Sequence, residues 1–201
     1  TIFEKNSYLG GHVHTHKLKN VNSTLNVDSG FIVYNENTYP NFIKLMEILD
    51  VVTQNTSMGF SYTDDNDFEY SGNSFSSLFA KRSNLINLSF YRFIYNILQF
   101  NKIALSDMDN LDVELKLIDY LKNNKISNSL IEKYIIPMGS AIWSTDPKTM
   151  KDMPAKFFIR FFKNHGLLDV RNRPQWKVIK NGSFQYVKKI YKQLKKNDTK
   201  I

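Results

Sequence analysis

The first twelve residues, TIFEKNSYLGGH, place an apolar stretch before an acidic residue, Glu4, and then a double glycine, Gly10 and Gly11, followed by His12. An apolar run that ends in a carboxylate predicts a buried strand with its acid at the carboxyl-terminal tip. The paired glycines predict a turn, or a stretch of backbone that comes close to a ligand where a Cβ would collide. A tight turn by itself needs no ligand, so both readings stand at this point. No GxGxxG occurs in the 201 residues, and the first residue is Thr rather than Met.

Composition narrows the class. Apolar residues make up 42% of the chain, which predicts a globular protein with a real core. The absence of Cys excludes a disulfide framework, a thiolate zinc site and a cysteine nucleophile, and makes a reducing cytoplasm the plainest home. No apolar run approaches the roughly 18 residues of a membrane span. The net charge of +8 invites a basic nucleic-acid-binding domain. Of the 27 basic residues, however, 22 are Lys and 5 are Arg, whereas base and phosphate recognition favours the planar guanidinium. No nucleic acid is therefore expected as a partner.

Periodicity organises the rest. Residues 12–18 and 25–34 read as extended, joined by a polar turn at 20–24. Pro40 opens a helix with Phe42, Leu45, Met46 and Leu49 on one face. Met58, Phe60 and Tyr62 alternate with polar residues, an acidic turn follows at 64–67, and Phe68 and Tyr70 return as a hairpin. Helices then dominate, with one stripe at Phe90, Phe93, Ile94, Ile97 and Leu98 and a second at Leu111, Leu115, Ile118 and Leu121. A third helix starts at Ser127 or Ser129, with Glu132 completing a capping box from Ser129, and is expected to stop at Pro137. Residues 156–163 carry Phe157, Phe158, Phe161 and Phe162 and end at Gly166, with apolar residues on most sides. Trp176, Val178 and Ile179 form a strand, Asn181 and Gly182 a turn, and Phe184, Val187, Tyr191 and Leu194 one face of a closing helix whose lysines are solvated.

The run His12, His14, His16 would put three imidazoles on one face of a strand, a spacing that binds zinc or copper. No fourth ligand is specified by the sequence, so no metal is expected. His165, at a helix end, reads as a cap. Ser7, Ser29 and Ser140 lack a nucleophile elbow, and no catalytic acid, base or nucleophile is assigned.

The blocks EKNSYLGGH, DSGFIVYNENTYPNF, PMGSAIWSTDP, PAKFFIRFFKNHGLL and RPQWKVIKNGSFQYV, running from Glu4 to Val187, resemble a bacterial family of predicted NAD/FAD-binding, amine-oxidase-like proteins, relatives of FAD-dependent amine oxidases and phytoene desaturases. The resemblance implies a flavoprotein that transfers a hydride to FAD from a small amine or an apolar, lipid-like chain. It implies that Glu4 holds the adenosine ribose, that Gly10 and Gly11 bring backbone to the cofactor with His12 where relatives carry a basic residue near the phosphates, and that Asp28 and Gly30 lie where a family strand passes near the flavin. Read this way, the chain is an internal fragment, cut roughly 30 residues into the first βαβ unit. The expected fold class is α+β, a mostly helical substrate-side portion with a small antiparallel sheet. Residues 1–201 form a single incomplete domain. Residues 1–36 are a remnant of the FAD-binding region, 37–170 the substrate-side helices with a hairpin, and 171–201 a strand, turn and helix that return to it. The fragment alone is expected to be inactive, and its open strand edge at residues 1–3 either to pair with another copy or to be left frayed. A non-catalytic binding module on the same scaffold is the alternative.

Overall fold

The computed structural model describes residues 1–20, 23–169 and 173–200. The chain divides into two units, Thr1–Ser57 with Pro174–Ile201, and Met58–Arg173. In chain order the first holds β1 (Val13–Asn20), β2 (Ser23–Gly30), β3 (Tyr34–Asn35), α1 (Pro40–Ile48) and β4 (Thr53–Thr56). The second holds β5 (Ser61–Thr63), β6 (Glu69–Ser71), α2 (Phe75–Leu78), a 3-10 turn (Arg82–Ile86), α3 (Leu88–Asp107), α4 (Leu117–Asn123), α5 (Asn128–Leu130), a π-helical turn (Ile131–Ile135), α6 (Ile136–Trp143), α7 (Pro147–Asp152) and α8 (Ala155–Asn164). The chain returns to the first unit as β7 (Trp176–Ile179) and α9 (Phe184–Lys196). Among the described residues three small antiparallel sheets result, β1-β2, β3-β7-β4 and β5-β6, and the fold is α+β. Among the described residues no helix is long and apolar enough to cross a membrane.

In the first unit the predicted stripe of α1 buries Met46 and Leu49 against Tyr34, Ile179, Tyr186 and Val187. Phe42 sits at the centre of an aromatic cluster, with ring centroids 4.9 Å from Tyr34, 5.1 Å from Phe31 and 5.5 Å from Tyr186, mostly edge to face. β7 forms as expected and draws in β4, a polar TQNT stretch that no sequence pattern marks; Thr53 pairs with Ile179 and Thr56 with Trp176. The expected turn at 20–24 has its central residues, 21 and 22, outside the described residues, and Asn20 pairs with Ser23 beside it. Residues 1–3 depart from expectation. They form no strand, Phe3 is 94% exposed, and Ile2 N–H donates to the Lys200 carbonyl at 2.8 Å. Three residues with no neighbouring strand have nothing to set a ladder, and of the two expected outcomes for this segment the structure has the unpaired one.

The packing also redraws the division of the chain. The sequence reading places α1 and β4 with the helices of 37–170, whereas their side chains and pairings belong to the first unit.

In the second unit the hairpin β5-β6 pairs Tyr62 with Tyr70, and Tyr70 packs on Phe93 of α3 at 5.3 Å. The acidic turn is organised by one carboxylate. Asp64 accepts from the N–H groups of Asn66 and Phe68 at 2.9 and 3.0 Å, and its second oxygen meets Lys133 Nζ at 2.7 Å. That ammonium also lies 4.2 Å from the centre of the Phe68 ring.

Two helical expectations are corrected, and the start of the third helix is decided between its two alternatives, without the capping box from Ser129. Leu111 and Leu115 precede α4 rather than belonging to it: Ala155 N–H donates to the Leu115 carbonyl and Leu117 N–H to the Met153 carbonyl, both at 2.8 Å, so this stretch pairs across to the residues that lead into α8 and begin it. Ser127, not Ser129, caps the third helix, accepting from Leu130 N–H at 3.3 Å, and Glu132 turns outward to Lys151. Pro137 does not stop that helix. The backbone widens into a π turn, with Ile136 N–H reaching the Ile131 carbonyl, and continues as α6. A proline has no N–H for the carbonyl four residues earlier, that of Lys133. The Tyr70 hydroxyl donates to this carbonyl at 2.9 Å.

α8 is likewise less enclosed than its four phenylalanines suggest. Phe158, Ile159 and Phe162 are fully buried, but Phe157 is 53% exposed and Arg160 and Lys163 face solvent. The helix closes as the sequence reading has it at Gly166, φ +67°, with Gly166 N–H to the Lys163 carbonyl and Leu167 N–H to that of Phe162. His165 occupies the cap, its Nδ1 2.9 Å from the Phe161 carbonyl oxygen.

Two outcomes follow for stability. Burial holds the Tyr70 phenol protonated well above its ordinary range, so it remains a donor. Tyr70→Phe is expected to cost about 1 to 2 kcal/mol in urea unfolding, because the Lys133 carbonyl loses its donor; an unchanged midpoint would remove that hydrogen bond from the account. The Lys133 side chain, and then the Phe68 N–H, hold the Asp64 carboxyl below the usual carboxylate range. A depressed folded pKa means that the unfolded chain binds more protons, so this contribution is complete above the unfolded carboxylate value and disappears as pH falls through the folded one. Asp64→Asn should therefore flatten the acid limb of the melting-temperature profile, and an unaltered limb would contradict the assignment.

Candidate functional site

The first unit carries an open groove of about 390 Å³ lined by Tyr8, Gly11, His12, His14, His16, Ser29 and Gly30. Its floor follows from strand geometry. His14 and His16 are two residues apart on β1 and share a face, with ring centroids 4.3 Å apart. His14 stands opposite Ser29 in the β1-β2 register, and His16 Nε2 lies 2.9 Å from the Ser29 hydroxyl oxygen. Tyr8 closes one side, its ring edge-on to His14 at 4.7 Å.

The glycines shape the two ends. The carbonyl of Gly10, φ +114°, accepts from Val13 N–H at 2.9 Å, and a Cβ on Gly10 would stand 2.9 Å from the carbonyl oxygen of the donor residue, Val13. Gly30, φ +93°, lies so close to the His12 carbonyl that a Cβ would stand 2.2 Å from its oxygen. Gly11, φ +57°, has open space on its Cβ side, so its backbone can be approached from the groove.

Of the six residues expected at a cofactor, Gly11, His12 and Gly30 line this groove, and Gly10 begins its turn. Glu4 and Asp28 are not among the lining residues. Glu4 is exposed, and its Oε1 accepts from Asn6 N–H at 2.8 Å. Asp28 faces the opposite side of the hairpin, where both carboxylate oxygens accept from Ser183 N–H at 3.0 and 2.9 Å. The Ser183 hydroxyl lies 2.9 Å from Asp28 Oδ2, and Thr15 Oγ1 lies 2.5 Å from Oδ1. Thr15 in turn accepts from Phe184 N–H at 3.0 Å. Asp28 and Thr15 thus satisfy the first N–H groups of α9 from a neighbouring element, placing a carboxylate at the positive end of its dipole.

The sequence reading singled out His14 and His16 only as possible metal ligands and did not foresee Tyr8 or Ser29 beside them. The alternation of β1 with the paired register of β2 is the signal that joins His14, His16 and Ser29; Tyr8 has none. Among the described residues no three His, Cys, Asp or Glu side chains stand where they could share a metal ion. The groove offers imidazoles, a phenol and a hydroxyl, side chains that can both donate and accept hydrogen bonds.

Tested against a flavin dinucleotide, the lining lacks the feature that binds its phosphates. Gly11 and His12 present approachable backbone and a polar ring, but no helix begins in the groove's lining, and a helix amino terminus is what cradles a pyrophosphate. No family model matches the chain, and no curated protein matches it.

Asp28→Ala should destabilise the chain by about 1.5 to 3 kcal/mol, the usual cost of losing hydrogen bonds to a charged group. Chemical denaturation that finds no difference from the parent chain would show that α9 does not depend on this carboxylate.

Proposed function

We propose that these residues belong to an FAD-dependent oxidoreductase of the amine-oxidase and desaturase kind, which moves a hydride from an amine or an apolar chain to flavin. The observation that carries the reading is the order of Glu4, the Gly10-Gly11-His12 turn and the Asp28-Ser29-Gly30 strand end within a resemblance that runs to Val187. It is supported by the meeting of Gly11, His12 and Gly30 in one groove. In this reading Glu4, exposed and with its Oε1 accepting from Asn6 N–H, accepts also from the ribose hydroxyls. Asp28 is a positioning residue that holds β2 to α9 so that Gly30 stays against His12. The cofactor supplies the hydride-accepting chemistry, and the protein supplies orientation.

The chain of 201 residues, purified by itself, is expected to be colourless, since no GxGxxG turn is among its residues to bind the phosphates. One yellow flavin per chain would overturn that expectation. Placed behind a complete GxGxxG unit, the same residues should bind FAD, and Glu4→Ala should weaken that binding about tenfold or more. A protein that stays colourless in this context, or a Glu4→Ala variant with undiminished FAD affinity, would remove the reading.

A further inference from the structure

α3 carries two apolar stripes, and only one of them is covered. Phe90, Phe93, Phe100 and Ala104 are buried in the core of the second unit. On the opposite face Leu88, Tyr91, Tyr95, Leu98 and Leu105 are exposed, at 85%, 44%, 58%, 45% and 39%. With Lys102 between the last two, they recur at alternating steps of three and four, the spacing by which one helix packs along another. Ile86, 88% exposed just before the helix, lengthens the stripe at its amino-terminal end. Scattered exposed apolar residues need no explanation, but a continuous stripe along a 20-residue helix, about 30 Å long, does.

The stripe is self-complementary. It is symmetric about the midpoint between Asn96 and Ile97, so an antiparallel copy of the same helix sets Leu88 against Leu105, Tyr95 against Leu98, and Tyr91 against Lys102. The one charged residue in the stripe then meets an aromatic ring, a favourable contact for an ammonium. A two-fold interface requires this reciprocity, since residue i of one copy touches j of the other and j touches i. We propose that two copies of this chain associate through α3, antiparallel, with Tyr95 and Leu98 of both at the centre. No Asp or Glu lies in the stripe, and Arg92 stands beside Tyr91, so each end of the interface gathers cations from both copies. Association through this face therefore tightens with added salt, the reverse of an interface held by ion pairs.

Sedimentation of the whole chain over a concentration series tests this. The expected result is a monomer–dimer equilibrium that favours the dimer as salt rises, with Tyr95→Lys weakening it at least about tenfold, as loss of a central aromatic anchor does, while the far-ultraviolet circular dichroism is unchanged. A disulfide test fixes the orientation, because the chain has no Cys of its own. Leu88→Cys and Leu105→Cys lie about 25 Å apart along one helix. Mixed and oxidised, the two single variants should form the mixed disulfide, and neither should form a disulfide with itself. A monomer at every concentration, a dimer indifferent to Tyr95→Lys, a dimer lost instead on removal of residues 1–3, or self-linking of either single variant would each overturn the proposal.

Discussion

The carboxylate of Asp28 is the contact on which the first unit depends. That unit is assembled from two stretches of chain separated by the whole of the second, and β2 has no covalent reason to lie beside α9. Both oxygens of Asp28 accept from Ser183, whose hydroxyl also bonds the Phe31 carbonyl, and Thr15 receives the next N–H of the helix. Ser183 is fully buried, so its polar atoms must find partners in protein. Gly182 makes the approach possible: its φ is +96°, and a Cβ there would stand 2.4 Å from the Thr15 methyl carbon. Once α9 is anchored, Tyr186 and Val187 face Phe42, Met46 and Tyr34, and the small core closes. The groove on the far side of the hairpin inherits its shape from this arrangement, because the same two strands present His14, His16 and Ser29 outward.

The second unit rests on a different device. A helix interrupted by Pro137 is kept continuous by a π turn, and the carbonyl that the proline leaves without its usual donor is met by Tyr70 from the hairpin. Lys133, in the same turn, reaches Asp64 and covers Phe68. The hairpin is therefore tied to the helix by two side chains at once. A two-stranded hairpin is marginal alone in water, and here its aromatic face packs on Phe90 and Phe93 of α3.

Where sequence reasoning succeeded, the signal was local and periodic. The stripe of α1, the β5-β6 alternation, the Asn181-Gly182 turn and the Gly166 helix end each follow from side-chain spacing or from a residue whose φ is positive. The failures share a cause. β4 is polar and becomes a strand because β7 pairs with it; Leu111 and Leu115 fit a helical stripe, but their carbonyls accept from Lys156 Nζ and Ala155 N–H in the first turn of α8; Pro137 reads as a stop only if no distant hydroxyl meets the freed carbonyl. In each case a partner far along the chain outweighed a local preference worth a fraction of the packing energy. Of the candidate site, the Gly10-Gly11-His12 turn and Gly30 were legible as glycine positions, while the company of Tyr8 and Ser29 was not.

The sequence by itself determined the α+β class, most element positions, the absence of thiol chemistry and the glycine positions that shape the groove, because composition, period and positive-φ glycines act within a few residues of themselves. Only the tertiary structure decided that Asp28 faces α9 rather than the groove, that the segment before Glu4 forms no strand, and that one stripe of α3 is buried while its twin is left bare. Strand alternation assigns side chains to one of two faces, and helical period to one of several, but neither says which face meets the core. That choice is made by what else packs there.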